Sequence, residues 1–69
     1  MMWRRFTGPG AEADAVAYCD AQTAFMNLPA GGVTQRWADP LPLTDGSYVV
    51  PAYLDAGAIE WDTGWVVAV

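Results

Sequence analysis

The sequence predicts an α+β domain in which one helix packs on a small antiparallel sheet of four to five short strands, in the order β-α-β-β-β-β. Three observations predict it. Residues 11 to about 27 are rich in helix formers, contain no Gly or Pro, and are bracketed by Gly8-Pro9-Gly10 and Leu28-Pro29. Such clusters punctuate regular structure rather than continue it. The rest of the chain divides into short runs of β-branched and aromatic residues around two Asp/Gly turns, Thr44-Asp45-Gly46 and Asp62-Thr63-Gly64. Finally, 69 residues make a single domain over residues 1–69, because a chain this short buries only about 60% of the surface it exposes unfolded.

Taken in order, residues 3–7 form a first strand, closed by Gly8-Pro9-Gly10. The helix then carries Glu12 and Asp14 in its first turn, where the positive end of its dipole favours them. Its apolar face is broad, with Val16, Cys19, Thr23 and Met26 on one stripe and Ala17, Tyr18, Ala21, Phe25 and Leu28 on the next. The many alanines allow the helix axis to lie close to a sheet. After the Ala30-Gly31-Gly32 link, residues 33–38 alternate with a period of two and read as a strand. Residues 39–43 continue only as a sheet edge, since Pro40 and Pro42 lack the N–H that a central ladder needs. Asp45-Gly46 then turns the chain into a strand over 47–50, ended by Pro51.

Residues 52–57 read as a loop or one helical turn, and 59–61 and 65–69 as two further strands. Between these lies W-D-T-G-W, Trp61 to Trp65, whose middle three letters are those around the catalytic aspartate of aspartic proteases. Turn grammar explains them without chemistry. A three-residue hairpin loop needs a left-handed residue at its third position, which Gly64 supplies, and the Asp62 carboxylate can accept backbone N–H bonds within the turn. In that hairpin Trp61 and Trp65 face one another across the strands. Acid proteolysis requires two carboxylates sharing a proton, and residues 65–69 leave no room for a flap or cleft. The expectation is therefore a protein that is not an enzyme.

Other chemistry is equally thin. Cys19 is the only cysteine and there is no histidine, so no intrachain disulfide and no cysteine/histidine zinc set can form. Cys19 reads as a small buried hydrophobe. Glu60 and Asp62 project from one face of the expected strand, where solvated carboxylates are a better reading than a hard-cation site. Gly8-Pro9-Gly10 before a helix lacks a P-loop lysine, and Glu12 and Asp14 would repel an anion. No cofactor is expected.

A net charge of −5, with Arg4, Arg5 and Arg36 the only cations, argues against nucleic acid and anionic membranes as partners. The spread acids keep an apolar chain soluble. No secretory leader and no run of about 20 apolar residues is present, so a soluble protein made in a cytoplasm is expected. What stands out is the 54% hydrophobic content, with four Trp, three Tyr and two Phe. A domain this small cannot bury all of it, and exposed apolar area beyond a few hundred Å² marks a contact with another chain. The expected partner is a protein, either a second copy or a larger subunit. Tyr18, Phe25, Trp37, Tyr48, Val50, Ile59 and Val67 are the core candidates. Trp3, Trp61 and Trp65 are the partner-binding candidates, joined by Arg4 and Arg5, which form with Trp3 the one basic aromatic spot. That spot also reads as an edge-strand guard against aggregation.

The order Gly8-Pro9-Gly10, Ala-rich helix, Leu28-Pro29, glycine link, Thr34 with Trp37-Ala38, and Asp45-Gly46-Ser47-Tyr48-Val49-Val50-Pro51 resembles a group of small tailed-bacteriophage proteins. Their pattern is a helix, L-P, a threonine-led strand, and D-G-R-W-a-x-P or a close variant. The resemblance covers residues 8–51; Ser47-Tyr48 stands where the pattern prefers Arg-Trp, and residues 52–69 extend beyond its usual end. It implies a phage or prophage origin among structural or accessory gene products, and no catalytic residues. The expected role is an interaction module in a tail or fibre region, in the virion or the host cytoplasm. The alternative is a small acidic effector that inhibits a host protein.

Overall fold

The computed structural model describes residues 1–25, 38–52 and 55–69. Strand β1 is Met2–Phe6, helix α1 is Ala11–Phe25, and strands β2, β3 and β4 are Leu41–Pro42, Tyr48–Pro51 and Ile59–Glu60. The four strands form one antiparallel sheet in the order β2-β3-β1-β4, with the helix on one face, an α+β arrangement. Residues 33–37 of the expected strand, Trp37 among them, lie outside the described residues, as do Tyr53 and Leu54 of the expected loop.

Two left-handed glycines set the entry of the helix, Gly8 at φ 82 and Gly10 at φ 83. They let the chain reverse so that Gly8 O accepts the Ala11 N–H at 3.2 Å and Gly10 O the Asp14 N–H at 2.9 Å. The helix packs mainly on small side chains: Ala11, Ala15 and Cys19 are buried, together with Gln22. Ala15 and Cys19 meet Val50, with Phe6, Tyr18 and Tyr48 packed around them. Cys19 is a buried thiol, as its setting in the sequence predicts. Gln22 is satisfied by donating its amide to Pro51 O at 2.9 Å. The broad stripe predicted through Ala17, Ala21 and Phe25 is displaced: these three are exposed, Phe25 by 69%. Close approach of the helix axis requires small residues beneath it, so bulk moves to the flank.

The Asp45-Gly46 hairpin forms as predicted. Leu43 O accepts the Gly46 N–H at 3.1 Å, Leu43 N–H reaches Ser47 O at 2.8 Å, and Gly46 takes the left-handed conformation at φ 89. Asp45 holds the turn from within by accepting the Ser47 N–H at 2.9 Å. Leu41 opposes Val49, and Pro42 opposes Tyr48. The edge position of β2 tolerates Pro42, whose missing N–H faces away from β3. Pro51 ends β3 beyond the reach of β2 for the same reason.

The last part of the chain departs from the predicted hairpin. Ile59 pairs with Trp3 and Glu60 with Met2, so β4 joins β1 instead of residues 65–69. Residues 65–69 cross to the opposite edge, where Val67 bridges Leu43 in antiparallel fashion. Strand β1 is thereby interior, and the reading of Arg4 and Arg5 as guards of a sheet edge is overturned. Ile59 and Val67, predicted for the core, are 52% and 36% exposed, because each sits at an outer margin of the sheet with no strand beyond it among the described residues.

Candidate interaction surface

Alternation along β1 and β3 separates two faces. Phe6, Tyr48, Arg4 and Val50 are register partners on the helix side; Trp3, Arg5 and Val49 fall on the other. That second face is covered by the chain's own W-D-T-G-W segment. From β4 to Val67 it spans four strand spacings, about 19 Å at about 4.8 Å each. Seven residues reach at most about 25 Å when fully extended, so the segment, with one tight turn at Asp62, crosses the face as a strap.

Beneath the strap lies a second core of Leu43, Val49 and Trp65, with Trp3, Leu41 and Trp61 packed against it. Trp61 stands between the other two indoles. Its ring centroid is 4.9 Å from that of Trp3 at 74° and 5.3 Å from that of Trp65 at 71°. Edge-to-face pairs of this kind add about 0.5–1.5 kcal/mol each beyond area burial. Trp65 is only 8% exposed, so its assignment to a docking surface is corrected: it is a core residue. Trp3 and Trp61 are half-buried, with one side in the cluster and the other at the surface.

The two arginines of the predicted basic spot point to opposite faces, and each is engaged by an acid far along the chain. Arg5 pairs with Asp45, donates from Nε to Ser47 Oγ at 3.2 Å, and places its guanidinium carbon 5.2 Å from the Trp65 ring centroid. The Asp45 carboxyl titrates below the usual range, chiefly because the Ser47 hydroxyl and N–H bond to its charged form, with help from Arg5. On the helix side Arg4 lies 3.6 Å from Asp55. Asp55 accepts the Tyr18 hydroxyl at 2.6 Å and the Gly57 N–H at 2.7 Å. These bonds lower the Asp55 pKa, that of Tyr18 contributing most. Partial burial and then the bond to Asp55 push Tyr18 up to about 12. Trp3, Arg4 and Arg5 therefore do not converge on one spot.

Asp62 is the hinge of a tight turn. Its carboxylate accepts the Gly64 N–H at 2.8 Å and its carbonyl accepts the Trp65 N–H at 2.9 Å. Gly64, however, is not left-handed; it is Asp62 that closes this turn, and the type of loop predicted here is corrected along with the hairpin. Glu60 and Asp62 do not share a strand face, since Glu60 is in β4 and Asp62 in the turn. Among the described residues no cluster of metal-ligating side chains occurs, and no helix is long and apolar enough to cross a membrane. A shallow depression on the outer side of the helix is lined by Glu12, Ala13, Val16, Ala17 and Asp20 and lies open to solvent.

Among the described residues, exposed Phe25 lies on the helix and Met1 and Met2 at the start of the chain, and further apolar surface follows the rims of the strapped face. At one margin Ile59 lies beside Trp3 and Trp61. At the other, Val66, Val67 and Val69 are exposed along the segment that bridges β2. Sequence reasoning placed 65–69 inside a hairpin and so missed this margin; its signal was the uncharged run Val66-Val67-Ala68-Val69. No family model, curated protein or solved structure matches the chain.

Proposed function

We propose that this protein is a non-enzymatic protein–protein interaction module, serving as a small structural or assembly component of a bacteriophage, in its tail or fibre region. The phage assignment rests on the sequence pattern over residues 8–51. The interaction role rests on one observation: after forming two cores the fold still leaves Ile59 52%, Val66 58% and Val67 36% exposed, at the two margins of a tryptophan-covered face. Half-buried Trp3 and Trp61 continue the apolar surface inward from Ile59. Aromatic residues with one face already packed lose little entropy on docking and dominate interface energetics.

The test pairs Ile59→Asp with particle analysis. Ile59→Asp adds a charge where a partner would cover the residue, without emptying either core. The expected result is an unchanged melting temperature and weakened association with the larger subunit or the particle. A wild-type protein absent from purified particles, and bound by no particle subunit, overturns the reading.

A further inference from the structure

We infer that the segment from Trp65 to Val69 is the self-association edge of this protein, and that a second copy pairs with it antiparallel to continue the sheet. This deepens the interaction reading, on which it rests, by naming the partner and the seam. The backbone pattern carries the inference. Thr44 N–H donates to Val66 O at 2.9 Å and Ala68 N–H to Pro42 O at 2.8 Å, flanking the Leu43↔Val67 bridge. In an antiparallel ladder, groups that flank a bridge in this way leave the bridging residues with their own N–H and C=O turned outward. Leu43 spends its outward pair within the hairpin, its N–H on Ser47 O and its C=O on the Gly46 N–H. Val67 has no such neighbour among the described residues, and its N–H and C=O face away from the sheet.

A strand edge of this form is a template for another strand, and natural edges are usually blunted by lysine, proline or inward charge. Residues 65–69 contain none of these. The edge is also self-complementary. About a twofold axis perpendicular to the sheet, Val67 opposes Val67 of the second copy and the pair exchanges two N–H···O=C bonds. Val69 N–H then reaches the Trp65 carbonyl of the second copy, and its side chain, now exposed, packs on the same face.

Charge selects this edge over the other. A chain of net charge −5 repels its own copy, so a self-pairing seam must be locally neutral. The run 65–69 carries no charged side chain, whereas β4 presents Glu60, which a twofold pairing would bring close to its own equivalent. A foreign strand could use the same backbone groups, but the neutrality and the twofold match favour a second copy.

Three variants and one exchange measurement test this. Native mass is followed by light scattering from low micromolar to millimolar concentration, and hydrogen exchange at the Val67 amide is read at both ends. The expected result is a rise to twice the mass of one chain, with Val67 exchange at least tenfold slower in the dimer. Val67→Lys should hold the mass at one chain with folding retained by circular dichroism. Thr63→Lys, which makes the same charge change in the exposed turn, should leave the dimer intact. A mass of one chain throughout, or a dimer that survives Val67→Lys with Val67 exchanging freely, overturns the inference. Should Ile59→Asp instead dissolve that dimer, the interaction reading stands while this edge is rejected.

Discussion

The guanidinium of Arg5 lies over the indole of Trp65, its central carbon 5.2 Å from the ring centroid, while the same group pairs with Asp45 and bonds to Ser47. One cation thus ties the hairpin turn to the strap that crosses the sheet. The arrangement predicts a graded series. Arg5→Gln keeps much of the stem but removes the charge, losing a cation–π contact worth about 0.5–2 kcal/mol. At about 4–8 °C per kcal/mol in a domain of this size, the melting temperature should fall by about 2–16 °C. Arg5→Lys retains the charge without the planar fork and should fall between the two. Thermal melts at low and high salt check it, and a variant as stable as the parent sinks it.

Trp65 and Trp61 should separate cleanly on truncation. Trp65 is enclosed by Leu43 and Val49, so Trp65→Ala opens a cavity costing about 3–5 kcal/mol. That is comparable to the whole stability of many small domains, and the variant should be largely unfolded at 37 °C. Trp61 is half-buried and central to the ring stack; Trp61→Ala should cost about 1–3 kcal/mol, from two aromatic pairs and partial burial. Tryptophan fluorescence of the parent should be dominated by a blue-shifted component from Trp65. Equal melting temperatures for the two variants would contradict the strapped core.

The two Asp/Gly turns, alike on paper, should respond differently to alanine. Gly46 is at φ 89 with no atom within 4 Å of an added Cβ, so Gly46→Ala meets only the conformational penalty of about 1–2 kcal/mol. Gly64 is not left-handed, and an added Cβ would lie 3.3 Å from the Asp62 carboxylate oxygen. Gly64→Ala meets no left-handed penalty and needs only that the Asp62 carboxylate yield by a few tenths of an ångström, so it should cost less than Gly46→Ala. Chemical denaturation of both variants checks the contrast.

What could be read from the sequence was local. The helix, the Asp45-Gly46 hairpin and the edge character of β2 follow from Gly8-Pro9-Gly10, from a glycine needing positive φ, and from prolines without donors. What could not be read was which edge a strand joins. Ile59-Glu60 and residues 65–69 flank a tight turn with β-branched residues, and a hairpin and a strap share that local grammar. Only the competition between pairing partners decides it: β1 offers its open side to β4, and β2 offers its own to Val67. The misplacement of Phe25, Ile59 and Val67 has a related cause, since apolar character says a residue prefers burial and not that the topology provides a cover. The pairing of Arg4 with Asp55 and Arg5 with Asp45 joins residues remote in sequence, and nothing in their spacing announces it.

The Tyr18–Asp55–Arg4 group makes the stability of the helix–sheet face depend on pH at both extremes. Asp55 and Asp45 titrate below the ordinary carboxylate range in the folded chain. Each therefore contributes stability that is present above its unfolded value, about 3.9, and is lost as pH falls through the lower folded value. Tyr18 is pushed up to about 12 from an unfolded value near 10. For this neutral acid, stability is present below about pH 10 and is lost as pH rises toward 12, because the unfolded chain releases the proton first. The melting temperature should thus be level from about pH 5 to 9, and fall below pH 4 and above pH 10. Tyr18→Phe should flatten part of the alkaline limb and raise the pKa of Asp55, since the hydroxyl is the largest contributor to its depression. Absorbance titration near 295 nm should show a late tyrosine component toward pH 12 in the parent, beside Tyr48, which its bond to Glu12 also raises, and the Tyr18→Phe variant should lose that latest component. An alkaline limb unchanged in that variant would mean that the Tyr18–Asp55 bond does not hold the helix to the loop beyond β3.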